Sequence, residues 1–222
     1  CGMQGDDVIF LGSLFASDGC PGGTYQNEAN SVEGCWVSSN DTIYGSYGDD
    51  VIGGQLGNDF IWGGPGNDRI IGLFGTDVID GGPGDDQISG GFSTATTELN
   101  GNNPDLLIGN DGNDTLIGNP SSGDCLCGDD CYSSGSLNDG DDTMIAWSGD
   151  DYLCDANNYE TDTFNCGNGS TDRYYVASGS DTIVGCETPT VTACTYCLNW
   201  ASEASSAVSD SVLYRMGITT SE

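Results

Sequence analysis

Between residues 45 and 89 a single apolar position returns every nine residues, as Ile52, Ile61, Ile70, Ile79 and Ile88. Each stands two residues after an aspartate: Asp50, Asp59, Asp68, Asp77 and Asp86. Glycine fills the first and fourth positions of all five nonamers, which read GSYGDDVIG, GQLGNDFIW, GGPGNDRII, GLFGTDVID and GGPGDDQIS. One apolar residue between two outward neighbours predicts a short strand with that residue facing in. The glycines before it predict a tight turn through positive φ. Two nonamers then close one flattened coil of two strands and two turns. Coils stacked at roughly 4.8 Å give two parallel sheets with the eighth-position side chains in rows between them. No nonamer buries its row alone, so several must stack.

The same frame extends beyond the block. Asp41-Thr42-Ile43 precedes it, and Asp105-Leu106-Leu107 and Asp114-Thr115-Leu116 follow it. Asp142-Thr143-Met144, Asp151-Tyr152-Leu153, Asp172-Arg173-Tyr174 and Asp181-Thr182-Ile183 continue it, and residues 2–9 are an isolated early copy. Stretches 10–40, 90–104, 118–136 and 155–166 break the frame and are expected to be loops protruding from a continuous scaffold. The expected organisation is a coiled scaffold over 1–187 and a C-terminal cap or assembly arm over 188–222. In that arm Ala204, Val208, Val212 and Met216 recur every four residues, which predicts a short helix ended by Gly217.

Charge supplies the chemistry. The chain has 35 acidic and 3 basic residues, a net charge of −32, with no histidine and no lysine. That excludes a Ser-His-Asp triad, a His-ligated zinc and a lysine nucleophile. Nucleic acid is not an expected partner, because phosphate binding needs a basic surface. No apolar run approaches the roughly 20 residues that span a bilayer. In a two-nonamer coil every second repeat lands on one side, so Asp50, Asp68 and Asp86 stack on one edge and Asp41, Asp59 and Asp77 on the other. Stacked carboxylates repel one another unless a cation lies between them. Oxygen donors in number favour Ca²⁺ over Mg²⁺, which demands strict octahedral geometry. The expected ligands of several Ca²⁺ ions are the carboxylates of Asp41, Asp50, Asp59, Asp68, Asp77, Asp86, Asp105, Asp114, Asp142, Asp151, Asp172 and Asp181. Turn glycines Gly48, Gly57, Gly66, Gly75, Gly84 and Gly112 join them through their carbonyls.

Gly63-Gly64-Pro65-Gly66-Asn67-Asp68-Arg69-Ile70-Ile71 and Gly81-Gly82-Pro83-Gly84-Asp85-Asp86-Gln87-Ile88-Ser89 match the pattern G-G-x-G-x-D-x-U-x in full. The chain thereby resembles the calcium-binding repeats-in-toxin (RTX) nonapeptide family over about half its length. The resemblance implies an all-β parallel β-roll, a β-solenoid of nine-residue half-coils, with Ca²⁺ in its turns. It says little about function, because such rolls serve toxins, proteases, lipases, epimerases, adhesins and surface layers. The chain departs from the pattern at position two, where Ser46, Gln55 and Leu73 replace glycine, and at Asn103 and Ser170, which replace the fourth-position glycine.

Eleven cysteines point to an oxidising compartment and disulfide-rich loops. Cys20, Cys35, Cys125, Cys127, Cys131 and Cys166 fall in the frame-breaking stretches. An odd number leaves one for an intermolecular bond, a free thiol or lipidation at Cys1. Asn40, Asn113 and Asn168 open glycosylation sequons. The expectation is an extracellular, secreted or cell-surface calcium-binding protein without catalytic activity. It would be a structural or adhesive subunit, with a second copy or a filament as partner. The alternative is a calcium-dependent carbohydrate- or ice-binding module. Tyr25, Trp36, Tyr44, Tyr47 and Trp62 would stack on surface glycans, whereas the outward ranks over 49–87 are too mixed for ice. An Asp129-Asp130 carboxylate pair acting on a glycan is the least favoured reading.

Overall fold

A computed structural model describes residues 8–10, 40–91, 104–120, 123–129, 140–155, 160–169, 171–176 and 180–189. Sixteen short strands occur among them and no helix. In chain order they are β1 (Val8–Phe10), β2 (Thr42–Tyr44), β3 (Val51–Leu56), β4 (Phe60–Trp62), β5 (Arg69–Phe74), β6 (Val78–Asp80), β7 (Gln87–Gly91) and β8 (Leu106–Ile108). They continue as β9 (Thr115–Ile117), β10 (Cys125–Cys127), β11 (Thr143–Ile145), β12 (Tyr152–Asp155), β13 (Thr163–Asn165), β14 (Arg173–Val176), β15 (Thr182–Val184) and β16 (Thr188–Pro189). The odd strands form one eight-stranded sheet and the even strands the other. Every strand pairing among the described residues is parallel, as the coil geometry requires.

The eighth-position residues stand in register. Ile52, Ile70, Ile88, Leu116, Met144 and Phe164 form one row, and Ile43, Ile61, Ile79, Leu107, Leu126 and Leu153 the other. These twelve fuse into one core, each at most 3% exposed. Register survives insertions: Gln87 pairs with Thr115 and Ile88 with Leu116 although residues 92–103 lie between them.

Two strands arise where the frame is broken. β10 falls within 118–136 and β13 within 155–166, both stretches expected to be loops. The reason is visible in the residues. Asp124-Cys125-Leu126 and Asp162-Thr163-Phe164 keep the aspartate two places before the apolar residue, although their spacing from the preceding repeat is not nine. Thr188–Pro189 adds to β14. The cap, its helix and residues 190–222 lie outside the described residues.

The outer faces differ. On the even sheet Phe60, Val78, Leu106, Ile108, Cys125, Cys127, Tyr152 and Cys154 form a second buried cluster. Tyr44 and Trp62 are half-buried and pack against that cluster, with ring centroids 6.1 Å apart. Tyr47 is exposed, and Tyr25 and Trp36 lie outside the described residues. The odd sheet keeps an open face, with Arg69 and Gln87 exposed along a shallow groove of about 290 Å³. Cys166 and Cys186 form a disulfide that ties the turn after β13 to the turn after β15. Cys125, Cys127 and Cys154 are also disulfide-bonded.

Candidate calcium-binding turns

Each turn folds its sixth-position aspartate back over its own first-position glycine. A Cβ on Gly54 would lie 2.5 Å from Asp59 Oδ2 and 2.9 Å from the carbonyl oxygen of Gly72 in the next coil. Gly63 sits likewise between Asp68 Oδ2 and the Gly81 carbonyl. Glycine is required here because a carboxylate oxygen and a backbone carbonyl converge where a side chain would begin. The fourth-position glycines have a second reason. Gly48, Gly57, Gly66, Gly75, Gly84 and Gly112 all have positive φ. A Cβ on Gly66, Gly75, Gly84 or Gly112 would run into the carbonyl of the equivalent glycine one coil earlier. At position two Ser46, Gln55 and Leu73 adopt the same positive φ as the glycines they replace.

The aspartates form a continuous ladder on each edge. On one, Asp50 N–H donates to Asp68 Oδ1 at 2.8 Å, and Asp68 to Asp86, Asp86 to Asp114, Asp114 to Asp142, Asp142 to Asp162 and Asp162 to Asp181 in the same way. On the other, Asp41 donates to Asp59, then Asp77, Asp105, Asp124, Asp151 and Asp172 follow, and the run ends at Glu187 Oε2. All twelve expected aspartates therefore stand on these two ladders. Asp124, Asp162 and the terminal Glu187 were not among the expected ligands. The aspartate-x-apolar triplet flags the first two, and nothing in the local pattern flags Glu187.

An outer ladder of opposite polarity runs along the fifth positions. Asn67 N–H donates to Asp49 Oδ1, Asp85 to Asn67, Asn113 to Asp85, Asp141 to Asn113 and Thr161 to Asp141. On the other edge Asn58 donates to Asn40 and Thr76 to Asn58. The next fifth position there is Pro104, which has no N–H to offer, so Thr76 needs no amide or carboxylate acceptor. The mixed Asp/Asn/Thr composition of this rank is a hydrogen-bond requirement of the turn.

One carboxylate oxygen per turn is left over. The Oδ2 atoms of Asp59, Asp68, Asp77, Asp86, Asp114, Asp142, Asp151 and Asp172 are buried and accept no hydrogen bond. Burial, with neighbouring carboxylates of the ladder adding to it, lifts these groups above the usual carboxylate value. Asp68 rises to about 6, Asp59 and Asp114 to about 7, Asp151 to about 8, Asp86 to about 9 and Asp142 to about 10. Asp77 and Asp105 are raised for the same reasons, and Asp162 to about 7 with Asp155 beside it. Rows of buried carboxylate oxygens without donors are a poor interior for a protein alone and a good one for a hard cation. Among the described residues no three acidic or cysteine side chains gather as a metal cluster. A set of one carboxylate per turn supplemented by turn carbonyls would suit the many-oxygen demand of Ca²⁺.

The RTX calcium-binding nonapeptide repeat family matches four stretches of the chain, residues 38–61, 62–93, 100–121 and 136–154. The described scaffold is an RTX β-roll. Its repeats bind calcium, and the roll is a structural calcium-binding fold. The family match leaves β1, β10 and β13 to β16 uncovered, yet these strands continue both sheets in register, so the roll runs past the recognisable repeats. No curated protein and no solved structure matches the chain. No helix among the described residues is long and apolar enough to cross a membrane.

Of the Asp129-Asp130 pair, the structure describes one member. Asp129 is buried and raises the proton affinity of Asp142, and Asp130 lies outside the described residues.

Proposed function

We propose that the protein is an extracellular structural subunit, a calcium-rigidified roll that adds to further copies end to end. The buried rank of Oδ2 atoms carries the calcium part of this reading. In the turns, Asp59, Asp77, Asp68 and Asp86 would hold ions together with glycine carbonyls of the adjacent coils. The bound ion neutralises the stacked carboxylates and so fixes one coil on the next. Millimolar affinity is enough for such a role outside the cell, where calcium is plentiful. Disulfide-bonded Cys125, Cys127, Cys154, Cys166 and Cys186 fit the same oxidising setting.

The end of the roll supports the assembly part. Among the described residues β15 is the last strand of the odd sheet, and its Ile183 and Val184 are 38% and 51% exposed. Ile183 belongs to the inward row, whose earlier members are nearly inaccessible. An exposed end strand with an apolar side chain is a template for another strand, and head-to-tail addition makes an open filament rather than a closed ring. Sedimentation velocity of the native protein in millimolar calcium is expected to show large species that dissolve in chelator, and Val184→Lys to leave monomers in both buffers. A wild-type monomer in calcium would sink the filament reading.

A water-ordering face is the second reading, and one observation favours it. Thr115, Thr143, Thr163 and Thr182 stand in register on the open face of the odd sheet, with Ile117, Ile145, Asn165 and Val184 in the next outward row. Hydroxyl and methyl groups thus repeat at roughly the 4.8 Å strand spacing, an arrangement suited to ice. The mixed residues at 51, 69 and 87 confine this rank to the later coils. Inhibition of ice recrystallisation that Thr143→Lys abolishes is the expected result. Inactive wild-type protein would remove this reading and leave the structural one standing.

A further inference from the structure

One pair of ladder carboxylates differs from the rest. On the edge that begins at Asp41, the Oδ2 atoms of Asp59, Asp77, Asp151 and Asp172 are buried and accept no hydrogen bond. Asp105 Oδ2 and Asp124 Oδ2, which lie between them in the ladder, are both taken by Asn119. Its side-chain amide Nδ2 donates to Asp105 Oδ2 at 2.6 Å, and its backbone N–H donates to Asp124 Oδ2. Asn119 is 1% exposed.

Asn119 follows Gly118 and so holds the second position of its repeat. At Ser46, Gln55, Gly64, Leu73, Gly82, Gly91, Asn110 and Trp147, that position has positive φ. Asn119 is not among the positive-φ residues. Its repeat is also one residue longer, since Asp105 and Asp124 are 19 apart where Asp59 and Asp77 are 18 apart. At its second position this longer turn leaves the left-handed conformation, and the Asn119 side chain reaches the carboxylate ladder.

We propose that Asn119 is a built-in substitute for a metal ion: its two N–H donors occupy the carboxylate oxygens that a cation satisfies in the other turns. The step from β8 to β10 is then held without calcium on this edge, and the row of ions along it is divided in two. The proposal rests on the calcium reading above. A coil step clasped by hydrogen bonds keeps its order when calcium is scarce, so β8 and β10 would serve as a preformed base on which neighbouring coils wind as ions arrive.

Two readouts on the full chain test it. The first is the number of calcium ions bound after equilibrium dialysis, measured by atomic emission for wild type, Asn119→Gly and Asn119→Asp. Both variants are expected to bind one ion more than wild type, because each frees Asp105 Oδ2 from the amide donor, and the aspartate variant adds a carboxylate of similar size. An unchanged number would overturn the proposal. So would the loss of one ion, which would make the Asn119 side-chain oxygen a ligand. The second readout is amide hydrogen exchange in calcium-free buffer over residues 104–120 and 123–129. Asn119→Gly is expected to speed it by about tenfold through loss of a bond to a buried carboxylate, and no change would overturn the clasp. If neither wild type nor variants bind calcium, the calcium reading fails by itself, and the exchange result still decides whether Asn119 clasps the two carboxylates.

Discussion

Stripped of calcium, the roll is expected to be more stable in mild acid than at neutral pH, and calcium is expected to reverse that slope. An unfolded aspartate titrates near 3.9. In the folded, metal-free roll burial lifts Asp68 to about 6, Asp59 and Asp114 to about 7, Asp151 to about 8 and Asp86 to about 9. Between these limits the folded chain binds more protons than the unfolded chain, so stability falls as pH rises. It is greatest below about 4, where both states are protonated, and is lost progressively as pH climbs through the raised values. Calcium demands the ionised carboxylates, so the loaded protein behaves in the opposite sense and releases its ions on acidification. At a hundredfold excess over Kd each independent site adds about 2.7 kcal/mol, which over several turns is comparable to the whole stability of a domain. Thermal melts of calcium-stripped protein in metal-free buffer and of loaded protein, followed by far-ultraviolet dichroism at about pH 4.5, 6 and 8, check both slopes. A stripped protein whose melting temperature rises with pH would contradict the account of the buried carboxylates.

Gly75→Ala is expected to be the most damaging of the small substitutions in the turns. Gly75 has a φ of 132°, and a Cβ there would run into the Gly57 carbonyl one coil earlier. The backbone strain of about 1–2 kcal/mol adds to an overpacking cost of about 1–3 kcal/mol. The carbonyl cannot step aside, because Gly57 N–H is itself bonded to the Phe74 carbonyl across the same two coils. Denaturant unfolding of the calcium-loaded variant should therefore show a loss of about 3 kcal/mol, with weaker calcium binding as the Gly57 and Gly75 turns separate. The reverse change, Ser46→Gly, relieves a residue already held at a φ of 99°. After the entropy that glycine adds to the unfolded chain, it should gain about 0.5–1 kcal/mol. If Gly75→Ala were neutral, the tight stacking of turn on turn would be wrong.

The nine-residue spacing was enough to place the two inward rows and both edge stacks, Asp50, Asp68 and Asp86 on one side and Asp41, Asp59 and Asp77 on the other. That legibility has a local cause. In a stacked roll each position meets only its own equivalent in the neighbouring coil, so the same steric and hydrogen-bond demand recurs at the same place and leaves a period in the chain. Turn glycines meet a carbonyl, position six meets an N–H, and position eight meets the core, each time. Asp124 and Asp162 escaped a search by period because insertions shift their spacing while the stack holds their contacts. What the roll fixes is the distance from coil to coil, and the length of chain between coils is free to vary. Two features had no local signature at all: the burial of the even sheet's outer face at Leu106, Tyr152 and Cys154, and the Asn119 clasp. Each depends on which residues of distant coils face one another, or on one turn leaving the common conformation, and contacts of that kind exist only once the coils are stacked.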